Sequence, residues 1–134
     1  MITGKMKVVM IISLVLVVIL FLFLSNHDYK TNEPEMLFGK YCFNNGGTDS
    51  IIIYKDHTYK HKYVTGSNKV YEGTGKWKWN INEIDFHDFT FYNDKGSAGS
   101  GLWISKVEST DNEIKLIYSS ENDIYYSQKL PIKK

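Results

Sequence analysis

Two histidines four residues apart, His57 and His61, have the spacing at which one face of a helix offers two imidazoles to a zinc ion. Thr58 stands where the catalytic Glu of that helical motif would be. The surrounding "HTYKHKYV" alternates like a strand, and four strand residues span about 13 Å, too far for both imidazoles to reach one metal. His61, between Tyr59 and Tyr63, reads instead as a hydrogen-bonded interior histidine or a ligand contact. "EIDFHDF" puts Asp85 and His87 on one strand face beside Asp88, a pair that could serve a serine nucleophile. No strand–turn–helix elbow marks such a serine, and the stretch reads better as a break in alternation, a bulge. "NDKGSAGSG" (93–101) is rich in Gly and Ser but lacks the Gly-Lys-Ser/Thr ending of a phosphate loop and leads into a strand. It is expected to be a flexible loop at one barrel mouth, suited to recognition. The only cysteine, Cys42, allows neither an intramolecular disulfide nor a cysteine zinc site, and alternation turns it outward. These residues call for no metal and no cofactor, and the chain is expected not to be an enzyme.

From Leu37 onward the chain has a single Ala (Ala98) and many Tyr, Ile, Phe, Trp and Val, a mixture that favours strands. Eight strands are expected, at 37–43, 50–55, 58–64, 70–79, 83–92, 102–108, 113–119 and 124–130, separated by short turn signals such as "TGSN" and "STDN". An antiparallel meander of eight short strands closes most simply into a barrel. In "VYEGTGKWKW", Tyr71, Gly73, Gly75, Trp77 and Trp79 share one face, while Glu72, Thr74, Lys76 and Lys78 share the other. The tryptophans therefore point inward, and the glycines are expected to let the strand bend. Likewise Tyr59, His61 and Tyr63 oppose Lys60 and Lys62.

A first strand bearing Gly39-x-Tyr41 and seven further meandering strands resemble the lipocalin-like (calycin) barrels, with Tyr41 in place of the usual Trp. "YKDHTY" (54–59) is similar to the Asp-Gly-Thr-Tyr hairpin of small bacterial lipocalin-like domains, with His57 in the Gly position. The resemblance implies an all-β, eight-stranded barrel over about residues 37–130. It also implies a possible interior ligand site, for which Tyr59, His61, Tyr63, Trp77, Trp79 and Trp103 are the candidates.

Before the barrel, Val8 to Leu24 form an apolar run of 17 residues in which only Ser13 is polar. As a helix it spans roughly 25 Å. Phe23 and Ser25 make a poor cleavage site, so an uncleaved transmembrane signal-anchor is expected over 8–24, with a short N-terminus at 1–7, a tether at 25–36 and the barrel domain at 37–134. Lys5 and Lys7 before the span, against Lys30 after it, place the N-terminus in the cytoplasm and the barrel outside it. All 16 basic residues are Lys. Without the arginine fork, and with 13 Lys against 12 acids from Met36 onward, no nucleic-acid surface is expected. What remains is a binding module at a membrane. Its first expected partner is a protein, as for immunity or inhibitor proteins that small anchored β-domains resemble. The alternatives are a small apolar or aromatic ligand, including a cyclic nucleotide if the barrel were cytoplasmic.

Overall fold

In the computed structural model the described residues are 33–44 and 48–131, together with 15 and 17–19. Eight antiparallel strands form a closed barrel in chain order: β1 (Gly39–Phe43), β2 (Ser50–Ile53), β3 (Thr58–Val64), β4 (Val70–Asn80), β5 (Glu83–Asn93), β6 (Gly96–Ser109), β7 (Glu113–Ser119) and β8 (Ile124–Lys129). Closure comes from Cys42 and Phe43 pairing with Ser127 and Tyr126. The all-β, eight-stranded meander expected from the turn spacing is therefore the architecture observed.

The largest boundary difference is in the sixth strand; elsewhere the ends move by one or two residues, as where the first strand starts at Gly39 because Leu37 belongs to a 3₁₀ turn. The sixth strand starts at Gly96, not at 102, so most of "NDKGSAGSG" is strand and only Asp94 and Lys95 form the turn. Gly and Ser have poor strand propensity, but β5 offers a ready ladder: Asn93 faces Gly96, Tyr92 faces Ser97 and Phe91 faces Gly99. Gly96 (φ 123°) and Gly99 (φ 142°) adopt the backbone that the turn and the adjacent register shift require. Tertiary pairing outweighs local propensity here.

The glycines of β4 do more than bend it. Tyr59 lies opposite Gly75 and His61 opposite Gly73. The β4–β5 ladder runs only from Trp77–Phe86 to Asn80–Glu83. Beyond it β5 shifts register between Phe86 and Phe89, where Asp88 has φ 57°. This is the bulge expected in "EIDFHDF". Two side chains from β3 bridge the break. The Tyr59 hydroxyl donates to the His87 carbonyl (2.9 Å), and His61 Nδ1 lies 2.9 Å from the Thr90 carbonyl. Both cross β4 where it has no side chain. A Cβ on Gly75 would sit 2.6 Å from the Tyr59 hydroxyl, and one on Gly73 would sit 2.8 Å from that of Tyr92.

The N-terminal end of β1 is plugged by a 3₁₀ turn at Glu35–Leu37. Leu37 is buried, its carbonyl accepts from the Tyr41 hydroxyl (2.8 Å), and Phe38 packs on Trp77 with ring centroids 6.0 Å apart. At the same end the 54–58 turn closes with Asp56 Oδ1 accepting from the Thr58 amide (3.0 Å) and hydroxyl (2.6 Å). His57 takes φ 64°, as a glycine there would, and its ring packs 4.8 Å from Trp77. The expected membrane span and tether fall mostly outside the described residues; 15 and 17–19 are helical, and 35–36 of the tether belong to the 3₁₀ turn. Among the described residues no helix is long and apolar enough to cross a membrane.

If side chains crossing bare glycines hold β5 in place, Gly75→Ala is expected to destabilise the barrel by about 1–3 kcal/mol. Gly66→Ala, where an added Cβ meets nothing within 4 Å, is expected to be near neutral. Urea unfolding followed by tryptophan fluorescence checks both.

Candidate binding surface at the barrel mouth

The interior is occupied by rings in contact. Phe86 stacks on Trp103 (5.0 Å), Phe89 lies against Trp103 (4.7 Å), His61 stacks on Phe89 (4.6 Å), and Tyr59 meets Phe86 edge-on (5.1 Å). Of the six candidate ligand residues, Tyr59, His61 and Trp103 join this cluster, and Trp77 belongs to the plugged end with Phe38 and His57. Trp79 is buried in the core. Tyr63 alone is half-exposed, at the opposite end.

At that open end a polar cluster sits inside the rim. His61 is fully enclosed, with Nε2 2.7 Å from Asp49 Oδ1, while the Tyr126 hydroxyl donates to Asp49 Oδ2 (2.8 Å). The Thr90 carbonyl can only accept, so Nδ1 is the donor there, and Nε2 is engaged with Asp49. Both ring nitrogens are thus engaged, and neither is left to take a proton from a substrate. Asp49 and Tyr126 were not legible as site residues. "NNGGTDS" reads only as a turn, and the packing of β8 against that turn is a long-range contact. His57, whose Nε2 pairs with Glu33 Oε1 at 3.0 Å, has no shared partner with His61. The Asp85–His87 pair is not joined either: His87 is exposed and its carbonyl serves Tyr59.

Above the cluster the rim is tyrosine-rich. Tyr71 and Tyr92 stack at 5.7 Å and 12°, and Tyr63 and Tyr92 at 6.4 Å and 23°. The Tyr63 hydroxyl donates to Asp94 (3.0 Å), which raises its pKa. Lys69 Nζ lies 4.9 Å from the centre of the Tyr71 ring. Across the mouth, exposed Tyr118 leans on Phe43 (6.1 Å) and Trp103 (5.7 Å). Cys42 is exposed, as its alternation requires. No protein family, curated protein or solved structure matches the chain.

Burial pushes the Tyr41, Tyr59 and Tyr126 phenols well above their ordinary range, and the charge of Asp49 adds to the effect at Tyr126. Unfolded phenols ionise near pH 10. The stability these groups contribute is therefore whole below about pH 10 and is lost as pH rises above it. Tyrosinate absorbance from these three residues is expected only together with loss of near-UV circular dichroism, in one alkaline step. At neutral pH, Tyr126→Phe removes a buried bond to a carboxylate and is expected to cost about 1.5–3 kcal/mol in urea unfolding.

Proposed function

We propose that this chain is a protein-binding module: a small lipocalin-like barrel, held at a membrane by the apolar run 8–24 and lying outside the cytoplasm, that binds or neutralises a protein partner without catalysis. The observation behind this reading is the contact-packed interior. With Phe86, Phe89, Trp103, Tyr59 and His61 stacked on one another, binding falls to the outer surface. The tyrosine rim at the open end suits a protein interface, where tyrosine is enriched because it offers large contact area and a polar tip. The lipocalin-like assignment is supported by the eight-strand meander and by Gly39 and Tyr41 following the 3₁₀ plug. The membrane and extracytoplasmic parts rest on the hydropathy of 8–24 and the lysine asymmetry around it.

A second reading, a small apolar or aromatic ligand, is favoured by one feature, the stacked Tyr71–Tyr92 rings at the rim. Native mass spectrometry of the full chain, extracted gently from its own host membranes, separates the two. The expected result is a protein bound in fixed ratio and lost in Tyr71→Ala while the tryptophan fluorescence stays native. A small added mass that disappears with the same substitution would establish the ligand reading instead, and a bare chain would count against both.

A further inference from the structure

The β5–β6 hairpin projects past its neighbours. β6 is 14 residues long, yet it pairs with β7 only through Val107, Glu108 and Ser109, while β5 accompanies it along its length. β7 ends at Ser119, and among the described residues no strand faces the outer edge of β6 from Ser97 to Leu102. The direction of that edge follows from one bond. The Val107 amide donates to the Asn82 carbonyl on the β5 side (2.8 Å). Along a strand such groups alternate, so residues 105, 103 and 101 turn their main-chain groups toward β5. Ser100 and Leu102 turn theirs away, toward the unpaired edge; by Ser105 β7 is alongside, the Ser105 hydroxyl donating to the Ile117 carbonyl (3.2 Å).

This edge lacks the devices that keep strands apart. From Gly96 to Ser105, "GSAGSGLWIS" has no charge and no proline. The outward positions of other strands do have charges: Lys60 and Lys62 on β3, Glu72, Lys76 and Lys78 on β4. Leu102 and Ile104 are 56% and 52% exposed on the same outer side. Nothing lies within 4 Å of where side chains would stand at Gly99 and Gly101, so the face of the strand opposite Leu102 and Ile104 is uncovered as well.

We propose that the outer edge of β6 pairs antiparallel with the same edge of a second copy of this chain, about a two-fold axis near Leu102. A two-fold interface brings one patch against itself, which forbids a charged edge strand whose like charges would meet. This edge meets that condition. Any two-fold register within 98–104 sets neutral residues opposite neutral ones, and Leu102 and Ile104 of one copy cover the aliphatic side chains of the other. The main-chain donors and acceptors of Ser100 and Leu102 gain partners, and the barrels join into one sheet across the axis. The mouth tyrosines lie outside the pairing, so the dimer does not depend on the protein-binding reading.

Chemical cross-linking of the full chain in intact expressing cells tests this. In a Cys42→Ser background a single thiol is introduced as Ser100→Cys and treated with a short, membrane-permeant bismaleimide. A covalent dimer is expected, and little of it from Lys62→Cys, which sits on β3 with strands paired on both sides. Adding Leu102→Pro removes an outward amide without touching the β5 ladder and is expected to lower the dimer yield roughly tenfold. Leu102→Lys, which leaves the backbone intact and sets like charges near the axis, is expected to do the same and decides the matter if the proline variant fails to fold. The proposal is overturned if Ser100→Cys gives no more dimer than Lys62→Cys. It is equally overturned if the dimer persists in the folded Leu102 variants, or if the cross-linked product contains a different protein.

Discussion

Where β5 bends away from β4, its carbonyls at His87 and Thr90 lose the ladder amides that would otherwise bond them, and two β3 side chains restore those bonds across the bare surface of β4. A main-chain acceptor turned toward a packed interior must find a donor, or folding loses the free energy of its hydration. This requirement fixes several residue types at once. Gly75 must lack a side chain so that Tyr59 can cross the strand, and Gly73, opposite His61, leaves room for the Tyr92 hydroxyl. A second polar group must satisfy the far nitrogen of His61, and Asp49 does so. Asp49 in turn needs Tyr126, which ties β8 to the turn after β1. The polar cluster inside the mouth is thus a consequence of the bend in β5.

The same bend shapes the outer surface of the barrel. By leaving β4, β5 takes β6 with it and forms a two-stranded ribbon whose inner strand is held by Tyr59, His61 and the Tyr71–Tyr92 stack. Its outer strand has no ladder partner on its far edge from Ser97 to Leu102 among the described residues. Inside, the register brings Phe86 and Phe89 against Trp103 and His61, filling the barrel with rings. Such rings gain stability from apolar burial and ring–ring contact, and the gain holds only while they remain in contact. A ligand placed among them would have to part them first.

Much of this was legible residue by residue. The turn signals spaced the eight strands, and alternation put Trp77 and Trp79 inside and the β4 lysines outside, because side-chain direction in a strand has a period of two whatever the partner. The bulge at Asp85–Asp88 showed as a broken alternation, and His57, in the Gly position of "YKDHTY", has the positive φ that a glycine there would adopt. The site was far less legible. The aromatic candidates were recognisable as inward, but inward residues of a barrel can line a cup or fill it, and only ring-to-ring distances tell the two apart.

The sequence by itself determined the strand meander, the inward and outward faces and the apolar run at 8–24, since each depends on local composition and short-range periodicity. Only the tertiary structure decided that the glycines of β4 are crossing points for Tyr59 and His61, that Asp49 and Tyr126 complete the cluster, and that "GSAGSG" is a strand edge. Each of these joins residues brought together by ring closure of the sheet. Asp49 and Tyr126 are 77 positions apart, and His61 and Thr90 are 29 apart. No local propensity records a contact whose partner is chosen by the register of strands in between.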